Sequence, residues 1–104
     1  MMGLHPCYVQ DDWQAVLEQM EGEWERRTFC AVGEIGIDLY WDKTYLEQQK
    51  AALARQIQWA NLRGKPIVIH CRESFREIMD VLDNTPKTAP FGVFHCFKIG
   101  RAHV

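Results

Sequence analysis

The chain has 104 residues, of which 47% are hydrophobic and 25% are charged, and its formal net charge is −2. This composition is typical of one globular domain and excludes a low-complexity or disordered chain. No apolar run approaches the ~20 residues that span a bilayer, so we expect no membrane partner. The weakly acidic balance lacks the basic footprint of many nucleic-acid-binding domains, although a metal ion can supply local positive charge at a nuclease site.

Strand and helix signals alternate along the chain. Met1–His5 is apolar and predicts a strand, and Asp11 or Asp12 is placed to cap a helix whose apolar face begins at Trp13. Apolar segments at 31–33, 67–69 and 91–94 predict three further strands. Because these segments are continuously apolar, we expect a parallel sheet with both faces covered.

Two further helices begin with the capping-box pattern. Thr44–Glu47 has this form and opens a long helix that we expect to end at Gly64, and Ser74–Glu77 opens a helix that ends near Asn84. The chain is therefore predicted to be an α/β protein with about four parallel strands and three helices. A closed (β/α) barrel needs eight strands, so this pattern predicts part of a TIM-like barrel.

The four cysteines, Cys7, Cys30, Cys71 and Cys96, have no C-x-x-C spacing. A structural zinc knuckle and a disulfide framework are therefore not expected. We expect reduced thiols and a cytoplasmic protein. Cys71 and Cys96 each follow a histidine, and on a strand this places them on the opposite face, where a small thiol packs well.

Each predicted strand is followed by a side chain that suits a metal or substrate site. Glu34 follows the second strand, His70 the third, His95 the fourth and His5 the first. The carboxyl ends of parallel strands share one rim, so we expect Glu34, His70 and His95 to converge there on a common centre. A carboxylate among apolar residues is costly unless it is paired or metal-bound, which favours a functional role over an exposed strand end.

Three neighbouring residues are weaker candidates. Arg72 lies just before a helix N-terminus, where it can bind an anionic substrate. His5 lies at the same rim and is a second candidate for substrate binding. Asp38 either orients a metal ligand from outside the coordination shell or has a structural role.

At these residues the sequence resembles the TatD family of metal-dependent hydrolases, often called TatD-type deoxyribonucleases. The resemblance rests on GLHP at 3–6, GEIGID at 33–38, IHCR at 69–72 and GVFHCF at 92–97, which occur in the family's order. The resemblance that these segments carry extends over essentially all of the chain up to Lys98, and their combination is highly specific.

The resemblance implies a TIM-like barrel that hydrolyses phosphodiester bonds in DNA or a related substrate by a water that divalent metal activates. It implies that Glu34, His70 and His95 are metal ligands, with Glu34 bridging two ions and acting as the catalytic carboxylate. The metals would be magnesium, manganese or zinc, and two imidazole ligands favour zinc or manganese. No obligate protein partner is indicated.

The sequence also departs from the family pattern. An early His-x-His metal motif and a later metal-binding aspartate are absent, so we expect residues 1–98 to form a partial barrel without its first and C-terminal strands. Such a fragment is expected to be inactive alone. Ile99–Val104 is also what the sequencing adapter ATCGGAAGAGCACACGTC encodes, and we expect this tail not to derive from the gene.

Two alternative functions remain open at this stage. Fold and metal site do not determine the substrate, so the protein could be an amide or ester hydrolase on the same barrel. It could instead be a non-catalytic remnant that has kept the strands and lost the metal. The joint presence of Glu34, His70 and His95 argues against this second alternative.

Overall fold

The computed structural model describes residues 1–40 and 43–85 in full, and the backbone of 93–98. The elements in chain order are a 3₁₀ turn (Pro6–Tyr8), α1 (Trp13–Arg26), β1 (Val32–Asp38), α2 (Leu46–Arg63), β2 (Ile67–Arg72), α3 (Phe75–Asn84) and β3 (Val93–Lys98). The predicted alternation of strands and helices is confirmed. The predicted tail, Ile99–Val104, lies outside the described residues.

The three strands form one parallel sheet in the order β1-β2-β3. The prediction of about four strands is wrong for the described residues, because Met1–His5 makes only an isolated parallel bridge between Met2 and Val32. Two residues after Met2, the Leu4 amide donates to Oε1 of Gln56 at 2.6 Å instead of to a strand. The segment thus lies beside β1, on the edge away from β2, without becoming a strand.

One face of the sheet packs against the helices. The residues that β1 and β2 present to this face are at most 4% exposed: Ile35, Ile37, Ile69 and Cys71. They belong to one core cluster with Leu53 and Ile57 of α2. Burying each large aliphatic side chain contributes about 1.5–3 kcal/mol, so this face fixes which side chains of the strands turn the other way. The buried position predicted for Cys71 is confirmed, and Cys96 lies outside the described side chains.

The capping signals predict the N-cap position of α3 correctly, but they do not predict the hydrogen bonds that the N-cap side chain makes. Ser74 is the N-cap residue of α3, as predicted. Its hydroxyl, however, donates to the carbonyl of Ile37 and accepts from the amide of Arg72 at 3.2 Å. Ser74 therefore joins the carboxyl ends of β1 and β2, and this tertiary contact replaces the predicted capping box.

The long helix α2 ends where the sequence predicts. Gly64 has φ +64°, the left-handed conformation that glycine adopts readily, and its amide donates to the carbonyl of Asn61 at 3.4 Å. At the other end of the helix the N-cap position is held by Tyr45, one residue beyond the predicted Thr44. Among the residues that the structure describes, no helix has the length and apolar character needed to cross a bilayer.

Candidate metal centre

Glu34 lies at an irregularity in β1. The residues on either side of Glu34 pair with two consecutive residues of β2, so Glu34 is the extra residue of a bulge. A bulge redirects a side chain that regular alternation would place elsewhere. The carboxylate oxygen Oε1 lies 3.5 Å from Nε2 of His5 and 3.7 Å from Nδ1 of His70.

The position of His70 depends on a close approach between β1 and β2. A Cβ on Gly36 would lie 2.0 Å from the carbonyl oxygen of His70, and Gly36 has φ +149°. Glycine is the residue that tolerates both conditions. The backbone of His70 therefore lies directly against β1, beside Glu34 and Asp38.

The two ring nitrogens of His70 have different environments. Nε2 is 2.8 Å from Oδ2 of Asp38, and both side chains are buried. Nδ1 is also buried and has no hydrogen-bond partner within the described part of the chain. Because the Asp38 carboxylate can only accept a hydrogen bond, the ring proton of His70 is assigned to Nε2. The lone pair on Nδ1 then points toward Glu34. A histidine held by a carboxylate on one nitrogen and open on the other suits a divalent metal ion.

Asp38 is fixed through both its main chain and its side chain. The Gln49 amide group accepts from the Asp38 amide at 2.8 Å and donates to its carbonyl at 3.3 Å. Burial alone would raise the pKa of Asp38, but hydrogen bonds from the Tyr40 amide, His70 and Cys7 outweigh it and lower that pKa. Asp38 is therefore a carboxylate at neutral pH.

Cys7 lies on the solvent side of Asp38. Its sulfur is 3.5 Å from Oδ2 of Asp38. Partial burial and the adjacent carboxylate raise the pKa of the Cys7 thiol to about 11. The thiol is therefore protonated at neutral pH and acts here as a hydrogen-bond donor to Asp38.

His5 completes the cluster but has a different proton arrangement from His70. His5, Glu34 and His70 each offer one potential metal-ligand atom, and these three atoms lie within 4.8 Å of one another. The Nδ1 atom of His5 accepts from the amide of Cys7 at 3.1 Å, which places the proton of the neutral ring on Nε2. Burial and the neighbouring His70 lower the pKa of His5, so the ring is neutral near pH 7. His5 thus points an N–H group, rather than a lone pair, into the cluster.

The two remaining predicted site residues are His95 and Arg72. The His95 backbone pairs in register with His70, and its side chain lies outside the described residues. Arg72 is not in the cluster; its guanidinium carbon lies 3.8 Å from the ring centroid of Tyr40.

Two buried glutamines were missed by the sequence reasoning. Gln49 and Gln56 are at most 5% exposed and bind the backbones of Asp38 and Leu4. A signal was available, because they are seven residues apart on the buried stripe of α2, which also carries Leu53. A polar residue on an apolar helix face needs a buried partner, and here the partners are the segments that carry the site.

The sequence predicts that Glu34 and His70 follow their strands, but both lie within β1 and β2, which continue to Asp38 and Arg72. The fold and the cluster define a class of protein: a parallel β/α sheet that carries a candidate divalent-metal centre. The sequence matches the family model described as TatD related DNase over residues 1–103. The chain belongs to this family, as the sequence motifs predicted.

Curated relatives cover almost the whole chain. The "Uncharacterized metal-dependent hydrolase YabD" of Bacillus subtilis is 31% identical over 103 residues, which are 99% of this chain and 40% of the relative. The "Uncharacterized metal-dependent hydrolase YjjV" of Escherichia coli is 34% identical, over 93% of this chain and 38% of the relative. The "3'-5' ssDNA/RNA exonuclease TatD" of Pantoea ananatis is 30% identical, over 91% and 36%. The chain thus spans about 36–40% of the length of these relatives.

Proposed function

We propose that this protein hydrolyses phosphodiester bonds of single-stranded nucleic acid, from the 3' end, with divalent metal ions bound at one rim of a TIM-like barrel. The observation that carries the proposal is the buried Nδ1 atom of His70, which lacks a hydrogen-bond partner among the described residues and lies 3.7 Å from the Glu34 carboxylate. The names of the relatives support the metal dependence and the nucleic-acid substrate.

Glu34, His70 and His95 would hold the metal. Glu34 and His70 are adjacent, and the His95 backbone lies in register beside His70 on the next strand. We propose two ions, with Glu34 bridging them, and we favour zinc or manganese because imidazole ligands suit these ions better than magnesium. When bound, such ions supply an activated water and stabilise negative charge on the phosphate.

The remaining residues of the site prepare it for an anionic substrate. Asp38 accepts from Nε2 of His70 and so keeps Nδ1 available as a ligand atom. The Nε2–H group of His5 and the Arg72 guanidinium are the proposed donors to the phosphate oxygens. The free thiols of Cys7 and Cys71 suit a reducing compartment, and we place the protein in the cytoplasm.

The test is cleavage of a single-stranded DNA oligonucleotide, labelled at either end, by the purified protein expressed from the complete gene, with Mg²⁺, Mn²⁺ or Zn²⁺ and with a chelator. Glu34→Gln should lower turnover by about 100-fold or more, because it removes the carboxylate proposed to hold the metal ions that stabilise transition-state charge. Glu18→Gln, an exposed position of α1 with the same change of charge, should leave turnover unchanged.

Other substrates separate this proposal from its alternatives. Metal-dependent hydrolysis of carboxylic esters or amides, with no cleavage of the oligonucleotide, would point to the alternative hydrolase. Equal turnover in Glu34→Gln and the unmodified protein would rule out the proposed site.

A further inference from the structure

The exposed aromatic side chains of the described residues are all near one rim. Tyr8, Tyr40 and Phe75 are 72%, 49% and 42% exposed, whereas the other described aromatic side chains are buried or half-buried. Tyr8 follows the segment beside β1, Tyr40 follows the carboxyl end of β1, and Phe75 follows that of β2. Scattered exposed apolar residues are normal, but a set confined to one rim marks a binding surface.

Tyr8 through its ring and Tyr40 through its backbone amide are linked to the candidate metal centre by contacts. The Tyr8 ring lies edge-on to the His5 ring, with centroids 6.0 Å apart, and the His5 and His70 centroids are 4.4 Å apart. On the other side, the Tyr40 amide donates to Oδ1 of Asp38 at 3.0 Å, and Oδ2 of Asp38 binds His70. Tyr8 therefore contacts the centre through His5, and Tyr40 contacts it through Asp38 and His70.

Arg72 supplies a cation beside one of the rings. Its guanidinium carbon lies over the Tyr40 ring, 3.8 Å from the ring centroid, within the range of a cation–π contact. A guanidinium that stacks through its face donates hydrogen bonds through its edge. The same side chain can therefore hold the ring and bind a phosphate group at the rim.

We propose that Tyr8 and Tyr40 form a base-stacking subsite, which holds the nucleobases on either side of the phosphodiester bond at the metal centre. Aromatic rings beside cations bind single strands without strong sequence preference, because every base has a stacking face. In a duplex these faces are stacked on neighbouring bases, so the subsite selects single-stranded DNA or RNA. The inference rests on the proposed function and adds the residues that contact the bases.

The test is equilibrium binding in the presence of a chelator, so that neither metal nor cleavage contributes. Fluorescence anisotropy would compare labelled dT12, rU12 and a 12-mer of abasic sugar-phosphate units. Stacking of a base on an aromatic side chain is worth roughly a tenfold change in affinity or more. We expect tighter binding of both base-containing strands than of the abasic strand.

Variants assign this difference to the two rings. Tyr8→Ala and Tyr40→Ala should each weaken binding of dT12 about tenfold and leave binding of the abasic strand unchanged, while Tyr8→Phe and Tyr40→Phe retain affinity. Leu62→Ala is the matched control, because Leu62 is 82% exposed near the end of α2 that leads into β2, away from the rim. It should bind every probe like the unmodified protein.

The outcomes separate this inference from the proposed function. Equal affinity of the unmodified protein for dT12 and the abasic strand, no binding of any probe, or equal losses on both strands in the alanine variants would overturn the stacking subsite, even if metal-dependent cleavage occurs. Base-dependent binding lost in the alanine variants would support the subsite, even if no cleavage is found. A preference for dT12 over rU12, or the reverse, would show which of the two strands the subsite takes.

Discussion

At Gly36 a single hydrogen atom in place of a side chain lets two strands meet at the candidate site. A Cβ there would lie 2.0 Å from the His70 carbonyl oxygen. We expect Gly36→Ala to lower the free energy of unfolding by about 3 kcal/mol or more, through overpacking and backbone strain together. Chemical denaturation followed by circular dichroism would measure the loss.

Gly22 provides the matched control for this substitution. It lies within α1, and a Cβ there meets nothing within 4 Å. Gly22→Ala should therefore stabilise the protein by about 0.5–1 kcal/mol, the usual gain in a helix interior. A Gly36→Ala protein as stable as the unmodified one would contradict the close approach of β1 and β2.

The hydrogen bond from His70 to Asp38 sets which nitrogen of His70 is open to a metal ion. In Asp38→Asn the amide group can donate to Nε2 of His70, which moves the ring proton to Nδ1 and removes the ligand lone pair. We expect Zn²⁺ affinity, measured by isothermal titration calorimetry, to fall about 10- to 100-fold with the fold retained. Asp83→Asn, an exposed change on α3, should bind Zn²⁺ normally. Unchanged affinity in Asp38→Asn would remove the orienting role of Asp38.

Local sequence signals selected the candidate site residues but not their contacts. Glu34, His70 and Asp38 could be selected because each follows or ends an apolar strand segment. The 2.8 Å bond between His70 and Asp38 could not be predicted, because the two residues are 32 positions apart and their distance depends on the pairing of β1 with β2. The cation–π contact between Arg72 and Tyr40 was missed for the same reason.

At the scale of elements, a polar contact ties α1 to α2. The Glu21 carboxylate accepts from Nε of Arg55 at 3.1 Å and also from the indole N–H of Trp59. Burial alone would raise the pKa of Glu21, but the hydrogen bonds from Arg55 and Trp59 outweigh it and lower that pKa. The two helices are therefore joined by a charged contact that depends on an ionised Glu21.

The lowered pKa of Glu21 predicts a pH-dependent contribution to stability. A carboxyl group with a lowered folded-state pKa contributes fully above its ordinary pKa, and the contribution is lost as pH falls through the lowered value. We expect Glu21→Gln to cost up to about 1 kcal/mol at pH 7, as partly exposed ion pairs do, and progressively less as pH falls below the ordinary glutamate pKa. Thermal unfolding between pH 3 and pH 8 would measure this, with Glu18→Gln as a control without this contact. A cost that is constant with pH would contradict it.

The elements themselves were largely predictable, with one informative exception. Helical periodicity and capping signals located α1, α2 and α3, and short continuously apolar segments located the three strands. Met1–His5 has the same apolar character and yet is not a strand. Gln56, far along the chain, takes the Leu4 amide that a strand would have paired, and periodicity carries no information on that partner.

At the scale of the whole molecule, the candidate metal centre links separate parts of the chain. His5, Glu34 and His70 come from the N-terminal segment, β1 and β2. A metal ion held by Glu34 and His70 would join β1 to β2 and stabilise the folded state, by about 2.7 kcal/mol when its concentration is 100 times Kd. For a domain of this size, each kcal/mol raises Tm by about 4–8 °C.

We therefore expect Zn²⁺ or Mn²⁺ to raise Tm by about 10 °C or more, and a chelator to reverse the shift. Differential scanning calorimetry would measure it. Glu34→Gln should lose most of the shift, and Glu18→Gln should keep it. If the shift survived in Glu34→Gln, the ion would be bound elsewhere.

The sequence alone was sufficient for the parallel β/α order and for membership of the TatD related DNase family, because apolar periodicity and the residues that follow each strand are written locally in the chain. The bulge at Glu34, the proton arrangement of His70 and the link that Ser74 makes between β1 and β2 came only from the folded structure. Each of these features needs contact between segments that are about 30 or more positions apart in the chain. Only the packing of the sheet against its helices sets those distances.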